Sequence, residues 1–218
     1  MEPDPTPDRK ADMPFLLRVE LPDVPGSLGR VASAIGEAGG DIEAIEIVEH
    51  RPDGTAVDDV LLETQPGAMP DSIVSACTAI EGVRVIWISR YAAGGNLFLD
   101  LEAVEDLTAH PHEALDRLVD LMPVTFRADW AVRTRRAADG SAEVLHRTGA
   151  APSTVSWFVV ERPTRIDAEH DEINVLCGVP VEDEQIVVGR RGGPAFLDSE
   201  LARMGHLVAL AQSIARQA

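Results

Sequence analysis

The sequence predicts an α+β protein with two domains of similar size. Short stretches in which apolar and polar residues alternate indicate strands with one buried face, and they are separated by segments in which apolar residues recur every three or four positions, as in amphipathic helices. A run of small residues at 92–96 divides the 218-residue chain near its middle. The predicted domains are therefore 14–91 and 97–218, with 1–13 as a disordered leader and 92–96 as the linker.

Six elements are predicted in the first domain, in the order strand, helix, strand, strand, helix, strand. The first strand ends at the turn Pro22-Asp23-Val24-Pro25-Gly26, and Ser27 is the expected N-cap of the helix that follows. Gly39-Gly40 ends that helix, and Pro52-Asp53-Gly54 joins the two central strands. The second helix begins near Pro70. The predicted strands are 15–21, 41–50, 57–64 and 83–90.

The second domain is predicted to contain a central antiparallel sheet flanked by helices. Two helical stretches open it, at 97–107 and from Pro111 onward. The stretch 153–161 fits a helix or a strand equally well, and 162–172 is expected to be a loop. Asp198 or Ser199 is the expected cap of the final helix. The predicted strands are centred on 130–134, 144–145, 173–181 and 185–189.

The charge of the chain restricts its partners. Acidic side chains number 37 against 19 basic ones, which gives a formal charge of -18. Such a surface repels phosphate, so neither direct binding of nucleic acid nor binding to an anionic membrane is expected. Residues 1–12 lack the apolar core of a signal peptide, and the chain has only two cysteines. A reduced, cytoplasmic protein is the simplest interpretation.

No group of residues with a catalytic arrangement stands out, so the sequence predicts a protein that is not an enzyme and needs no cofactor. His110 and His112 could offer two metal ligands, but no carboxylate or third histidine at helical spacing completes a recognisable set of ligands, and no metal site is predicted. Cys77 and Cys177 lie in apolar segments and are expected to be packed thiols. The turn Arg190-Arg191-Gly192-Gly193 could receive an anion, or could only connect a strand to the last helix.

Asp58 and Asp59 interrupt an otherwise apolar strand. Because successive residues of a strand point to opposite faces of the sheet, the two carboxylates are expected on different faces. One could make a polar contact at a dimer surface; the alternative is a solvent-exposed strand face.

Three segments of the first domain form a recognisable pattern together with the order of its elements. They are Phe15-Leu16-Leu17-Arg18-Val19-Glu20-Leu21, Asp23-Val24-Pro25-Gly26-Ser27-Leu28 and Gly39-Gly40-Asp41-Ile42. On these segments the domain resembles the ACT domain, a small regulatory module that binds amino acids beside many metabolic enzymes. The turn and Val57-Asp58-Asp59-Val60 are similar to the ACT module that precedes some bacterial malic enzymes. The resemblance implies a ferredoxin-like βαββαβ fold for residues 14–91.

The end of the second domain contains three characteristic segments. They are Gly178-Val179-Pro180-Val181, Ile186-Val187-Val188-Gly189 and Pro194-Ala195-Phe196-Leu197-Asp198-Ser199-Glu200-Leu201. On these segments residues 97–217 resemble the GAF domain, a small-molecule sensing fold. The resemblance implies a GAF-like domain that either senses a ligand or dimerises. The cyclic-nucleotide signature of that family is absent, so binding of a cyclic nucleotide is not expected.

The turn at 23–28 is the predicted ligand site. A strand that leads into a helix exposes backbone N–H groups at the positive end of the helix dipole, where a carboxylate can bind, and Gly26 has no Cβ to keep a ligand away. Asp41 is expected to lie near this turn and to bind an α-ammonium group. The alternative is that the turn only connects two elements and that Asp41 only solvates a strand end. The resemblance to ACT domains implies the site residues Asp23, Gly26, Ser27, Leu28, Asp41 and Ile42.

These expectations describe a regulatory protein that senses an amino acid or a related small carboxylate. It is expected to be a homodimer, because an open βαββαβ sheet has edge strands that must be paired or protected. Ligand binding would then favour one pairing of two copies. The alternative is an interaction or scaffold protein with vestigial pockets that docks on a metabolic enzyme or a signalling protein.

Overall fold

A computed structural model describes residues 14–90, 96–167 and 173–218. The chain divides into two compact units, Met1–Ala93 and Gly94–Ala218. The fold is α+β with antiparallel sheets, which confirms the predicted fold class. The predicted leader at 1–13 and the linker residues 92–95 lie outside the described residues, and Asn96 is the first residue of a helix.

The first unit contains four strands and two helices, which follow the predicted order. Their bounds are β1 Phe15–Pro22, α1 Ser27–Glu37, β2 Gly40–His50, β3 Thr55–Thr64, α2 Pro70–Thr78 and β4 Arg84–Arg90. The strands form an antiparallel sheet with the strand order β2-β3-β1-β4.

Both helices of the first unit pack against one face of this sheet. Alternate residues of β1 and β3 supply the apolar surface, because every second side chain of a strand points to the same face. Residues of α1 and α2 that recur at helical spacing cover this surface. The fully buried residues of this core include Leu17 and Val19 from β1, Val60 and Leu62 from β3, Val31 and Ile35 from α1, and Ile73 and Cys77 from α2.

The second unit contains three helices and five strands. Their bounds are α3 Asn96–Ala109, α4 Ala114–Thr125, β5 Trp130–Arg136, β6 Ala142–Arg147, β7 Thr164–Ile166, β8 Asn174–Val181, β9 Glu184–Arg191 and α5 Asp198–Arg216. A 3-10 turn at Pro111–Glu113 precedes α4. The strands form an antiparallel sheet with the strand order β6-β5-β9-β8-β7. The short strand β7 lies in a stretch that the sequence predicts to be a loop.

Different segments of the chain pack on the two faces of the second sheet. The helices pack on one face, where Leu118 and Met122 of α4 and Met204 of α5 meet apolar residues of β8 and β9. The stretch 153–161, which fits a helix or a strand by sequence, is neither. Its Val155 and Phe158 pack on the other face, so the chain itself fills that side of the sheet.

A tryptophan and a glycine are opposed across two neighbouring strands of this sheet. Trp130 on β5 pairs with Gly189 on β9, and a Cβ atom at Gly189 would collide with the indole ring. The glycine thus leaves the space in which the ring lies. The indole N–H donates a hydrogen bond to Asn174 Oδ1 at 3.4 Å.

The structure corrects the caps that the sequence predicts for two helices. Ser27 is the first residue of α1 rather than its N-cap, which is Gly26. Asp198 is likewise the first residue of α5, and Leu197 is the N-cap. The Leu197 N–H donates to Glu200 Oε2 at 2.7 Å, so the acid that serves this helix end comes from its first turn. A capping side chain need not stand at the N-cap itself.

Candidate functional site

The turn between β1 and α1 leaves the N-terminus of the helix open. Gly26 has a φ of 92°, a left-handed conformation that glycine adopts without strain, and this turns the chain sharply into α1. The Ser27 N–H donates to the Val24 carbonyl at 3.2 Å. In the part of the chain that the structure describes, no side chain caps this helix. N–H groups of its first turn therefore remain for another acceptor.

A concavity of about 330 Å³ lies at this turn. Residues 21–28 form most of its wall, and Ile47, Ala56 and Asp58 complete it. Side chains such as Leu21, Val24, Leu28 and Ile47 make the lining largely apolar. The volume is within the range that small-molecule sites occupy. The cavity thus combines an apolar wall, the amide end of a helix and one buried acid.

Asp58 is the buried acid of this cavity. It pairs with Val19 on β1 and with Ile47 on β2, and it therefore lies on the helix-facing side of the sheet, in line with Val60 and Leu62. The residue is 2% exposed, and its Oδ1 atom has no hydrogen-bond partner among the described residues. Sequence reasoning did not include Asp58 in the site, although its even spacing from Val60 and Leu62 was a usable signal.

The environment of Asp58 favours its neutral form. Burial is the main cause that raises the pKa of its carboxyl group, and the negative charges of Asp23 and Asp59 raise the pKa further, whereas His50 lowers it. Asp23, which lines the cavity, is itself held by His50 Nδ1 at 2.8 Å in a solvent-exposed contact. The cavity is therefore acidic at its wall and short of positive side chains.

Asp41 and Ile42 do not lie near the turn, so the expectation that Asp41 stands close to it is wrong. The start of β2 pairs with the end of β3, as Asp41 does with Glu63, whereas the end of β2 reaches the turn at His50. Helix α1 runs the length of the sheet, and the strand that follows it must begin at the far end. His50 lies nine positions after Asp41 along β2, which is roughly 30 Å at the rise of a strand.

Asp59 has the opposite environment from its neighbour. Its two carboxylate oxygens accept hydrogen bonds from Arg18 Nε at 2.6 Å and Arg18 Nη2 at 2.8 Å, across the β1–β3 pair. Both residues are buried, so the expectation of a solvent-exposed strand face at 58–59 is wrong. A two-point contact of this kind compensates both buried charges.

Gly26 also lines a wider groove of about 730 Å³. Small residues of α1 and α2 such as Ser33, Ala34 and Ala76 line the same groove. Its charged residues, Arg30 and Glu37, stand on the solvent-facing surface of α1. The smaller cavity is the better candidate, because a buried acid and a helix end meet there.

The remaining sequence candidates are parts of the packed structure. Arg190 is buried, and its guanidinium donates to the carbonyl oxygens of Phe126 and Pro194 at 2.8 Å and to Glu200 Oε1 at 3.1 Å. Cys77 and Cys177 are both buried, which raises the pKa of each thiol. Within the described ranges, no group of three or more His, Cys, Asp or Glu side chains could hold a metal ion. Those ranges also contain no helix long and apolar enough to cross a membrane.

Comparisons with known proteins agree with the architecture of the first unit. The family model of the ACT domain matches residues 15–68. The NAD-dependent malic enzyme 1 of Bacillus subtilis is 38% identical over 74 residues, which are 34% of this chain and 17% of the enzyme. That similarity covers only the ACT-like part, so the chain shares a short segment with the enzyme rather than most of its length.

Two solved structures resemble the chain at low sequence identity. The GAF domain of the phosphoenolpyruvate-protein phosphotransferase from Acinetobacter covers 58% of this chain and 95% of its own, with a TM-score of 0.44 and 14% identity. An unknown protein from Galdieria sulphuraria covers 94% of this chain and 92% of its own, with a TM-score of 0.32 and 11% identity. ACT domains are typically regulatory and ligand-sensing rather than catalytic. The family match and the βαββαβ sheet around it together identify residues 15–68 as an ACT domain.

Proposed function

We propose that this protein is a non-enzymatic cytoplasmic regulator that senses an amino acid or a related small carboxylate in its first unit. The observation that carries the proposal is the cavity at the β1–α1 turn, where the uncapped N-terminus of α1 meets a concave apolar wall. The first-turn N–H groups and the helix dipole attract an anion, so the carboxylate of the ligand would bind there. The absent side chain of Gly26 allows the ligand to approach the backbone.

The second unit is proposed to assemble the protein rather than to bind a small molecule. Val155 and Phe158 already pack on the sheet face that the helices leave free. A regulatory output then requires that the ligand changes how two copies pair, which is the mechanism that a homodimer provides. The edge strands β2 and β4 of the first sheet are candidates for that pairing.

A thermal-shift screen of the full chain against the twenty amino acids and a set of short carboxylic acids tests the sensing function. A compound present at 100 times its dissociation constant should add about 2.7 kcal/mol to stability. Light scattering with and without each hit tests the dimer. If no compound raises the melting temperature, the sensing function is wrong and the scaffold alternative is favoured; a monomer at micromolar concentration would exclude regulation through pairing.

The substitution Gly26→Val tests whether the ligand binds at the β1–α1 turn. A Cβ-branched residue at a φ of 92° is strained and places methyl groups at the open helix end, so calorimetry should show that the affinity for a hit is lost. Asp41→Ala is the matched control, because Asp41 is exposed and lies at the other end of β2. Circular dichroism checks that both variants are folded. Unchanged affinity in a folded Gly26→Val protein would place the ligand elsewhere.

A further inference from the structure

We propose that residues 153–161, here called the strap, cover a peptide-recognition face of the second sheet, and that an extended peptide from another chain binds this face when the strap leaves it. The face lies opposite the helices, and its buried residues include Trp130, Val132, Leu176 and Val187. The strap is then an autoinhibitory segment that lies on the face as a bound peptide would. The proposal concerns the second unit alone and does not depend on ligand sensing in the first.

Side chains hold the strap on the sheet, rather than a ladder of backbone hydrogen bonds. Among the described residues, none of its backbone groups bonds to another backbone group, and it forms neither a helix nor a strand. Its Val155 and Phe158 pack against the apolar cluster of the face. Val160 fills the space that Gly178 leaves, since a Cβ added there would lie 2.8 Å from the Cγ2 atom of Val160. The strap can therefore leave the sheet without breaking a backbone ladder.

One buried side-chain amide recognises the main chain of the strap. Gln185 on β9 is 1% exposed, and its amide is oriented by its hydrogen bonds. Its Nε2 donates to the Phe158 carbonyl oxygen at 2.9 Å, and its Oε1 accepts from the Phe158 N–H at 3.3 Å. The hydroxyl of Thr134, which pairs with Gln185 on β5, donates to the same Oε1 at 3.3 Å. Residues of two antiparallel strands exchange the same two hydrogen bonds, so any extended peptide can offer them.

The polar pair Gln185 and Thr134 favours a recognition surface over a permanent core. Both residues are buried on a face whose main cluster is apolar. A buried amide costs free energy unless its hydrogen bonds are satisfied, so an apolar pair would suit a permanent cover better. The polar pair is useful where a main chain must be recognised, because hydrogen bonds to the main chain then give affinity and neighbouring pockets give selectivity.

The strap itself indicates which peptide the face accepts. Val155, Phe158 and Val160 contact the face, whereas Val159 is 85% exposed. A partner peptide should therefore carry an aliphatic residue, an aromatic residue three positions later and a β-branched residue two positions after that. The position between the last two residues can be polar.

The test titrates the full chain into a fluorescent peptide with the sequence of residues 152–162 and measures its anisotropy. In the wild-type protein the strap competes from within the same chain at a high effective concentration, so binding should be weak. The variant Phe158→Ser, Val160→Ser weakens its own strap and should bind the peptide at least about 10-fold more tightly. A peptide carrying Val159→Glu should bind equally well, whereas a scrambled peptide should not bind.

The further substitution Gln185→Leu separates recognition of the main chain from apolar adhesion. Added to the variant with the weakened strap, it should reduce the affinity for the peptide about 10-fold, because the peptide loses two hydrogen bonds to a buried amide. An N-methyl group on the phenylalanine nitrogen of the peptide should also reduce the affinity, since it removes the N–H donor. Unchanged affinity in both measurements would show that Gln185 does not recognise the peptide and would overturn the proposal.

Three other outcomes would also contradict the proposal. They are no binding of the peptide to the weakened-strap variant, equal binding of the scrambled peptide, and equal affinity of the wild-type protein and the variant. If the double variant does not fold, Val160→Ala leaves Phe158 in place and should still bind the peptide more tightly than the wild-type protein does. Equal affinity in that comparison would exclude competition by the strap.

Discussion

A buried acid lies near the N-terminus of α1 and near that of α5, but only the acid at α5 binds the end of its helix. At α5, Glu200 accepts a hydrogen bond from the Leu197 N–H with one carboxylate oxygen and binds Arg190 with the other, so one acid satisfies both the helix end and a buried positive charge. At α1, no described side chain caps the helix, and the nearby buried acid, Asp58, leaves an oxygen without a partner. The difference shows that a helix end becomes a candidate binding site only where the chain does not complete it.

The strand β3 contains the same contrast in two consecutive residues. Asp59 is compensated by two hydrogen bonds from Arg18, whereas Asp58, on the other face, has no such partner. Both residues are about equally buried. Exposure alone therefore does not identify the acid that is available to a ligand; its partners do. Substitutions of Asp59, Glu200, Gly26 and Asp58 test these two comparisons.

Removing a compensated acid should have the largest effect. Asp59→Ala removes the two hydrogen bonds that the buried Arg18 guanidinium donates to Asp59, so urea unfolding should show a loss of about 3–5 kcal/mol. The double variant Arg18→Met, Asp59→Leu should recover much of that loss, because it removes both charges. A loss below about 1 kcal/mol in Asp59→Ala would show that Arg18 does not depend on this partner.

Removing the acid at the N-terminus of α5 should lower the free energy of unfolding somewhat less. Glu200→Ala removes the acceptor of the Leu197 N–H and one partner of Arg190, but Arg190 keeps its backbone carbonyl partners. We expect a loss of about 2–3 kcal/mol in urea unfolding. Asp198→Ala, an exposed acid in the first turn of the same helix, is the control and should cost less than about 1 kcal/mol. Equal losses in both variants would contradict the role assigned to Glu200.

At the N-terminus of α1, the backbone conformation of Gly26 should affect stability more than any side-chain contact does. A Cβ at Gly26 meets no atom within 4 Å, so Gly26→Ala costs only the strain of a left-handed residue, about 1–2 kcal/mol in thermal or urea unfolding. Gly29→Ala, inside α1 with equally open space, should instead stabilise the protein by up to about 1 kcal/mol. If both variants shift stability in the same direction, the turn is not held as described.

The substitution with the smallest expected effect, Asp58→Asn, should raise the stability of the protein rather than lower it. Burial raises the pKa of the Asp58 carboxyl in the folded protein, so the folded state holds this proton more tightly than the unfolded state does. The group therefore lowers stability as the pH rises through its raised pKa. Asp58→Asn should be more stable than the wild-type protein at pH 7, by about 1 kcal/mol, with a smaller difference near pH 4. A variant that is less stable at pH 7 would mean that Asp58 is already compensated.

Periodicity was sufficient to predict the order of elements but not the partners of individual side chains. The six elements of the first unit follow from alternation, helical spacing and turn residues. The position of Asp41 does not follow from these patterns, because it depends on α1 running the length of the sheet. Ser27 and Asp198 have side chains typical of caps, yet backbone geometry makes each the first residue of its helix.

The two buried acids of β3 also show that periodicity does not predict the partners of individual side chains. Asp58 and Asp59 are adjacent in the sequence and chemically identical, and only the register of β1 against β3 decides which of them meets Arg18. Alternation separates the two faces of the strand, but nothing in the sequence states that both faces are covered at this point. The candidate site could therefore be located at the turn, and the even spacing of Asp58 from Val60 and Leu62 could place Asp58 on the core face, but only the strand register brings it to the cavity at the turn.

The contact between Trp130 and Gly189 has a consequence for the evolutionary record of this fold. Any side chain at Gly189 would overlap the indole ring, so the two positions cannot vary independently. Relatives that retain the tryptophan should be invariant for glycine on β9, and those with a smaller residue at 130 should tolerate alanine, serine or valine at 189. Such paired changes across an alignment would reveal the register of β5 and β9 in chains whose structures have never been determined.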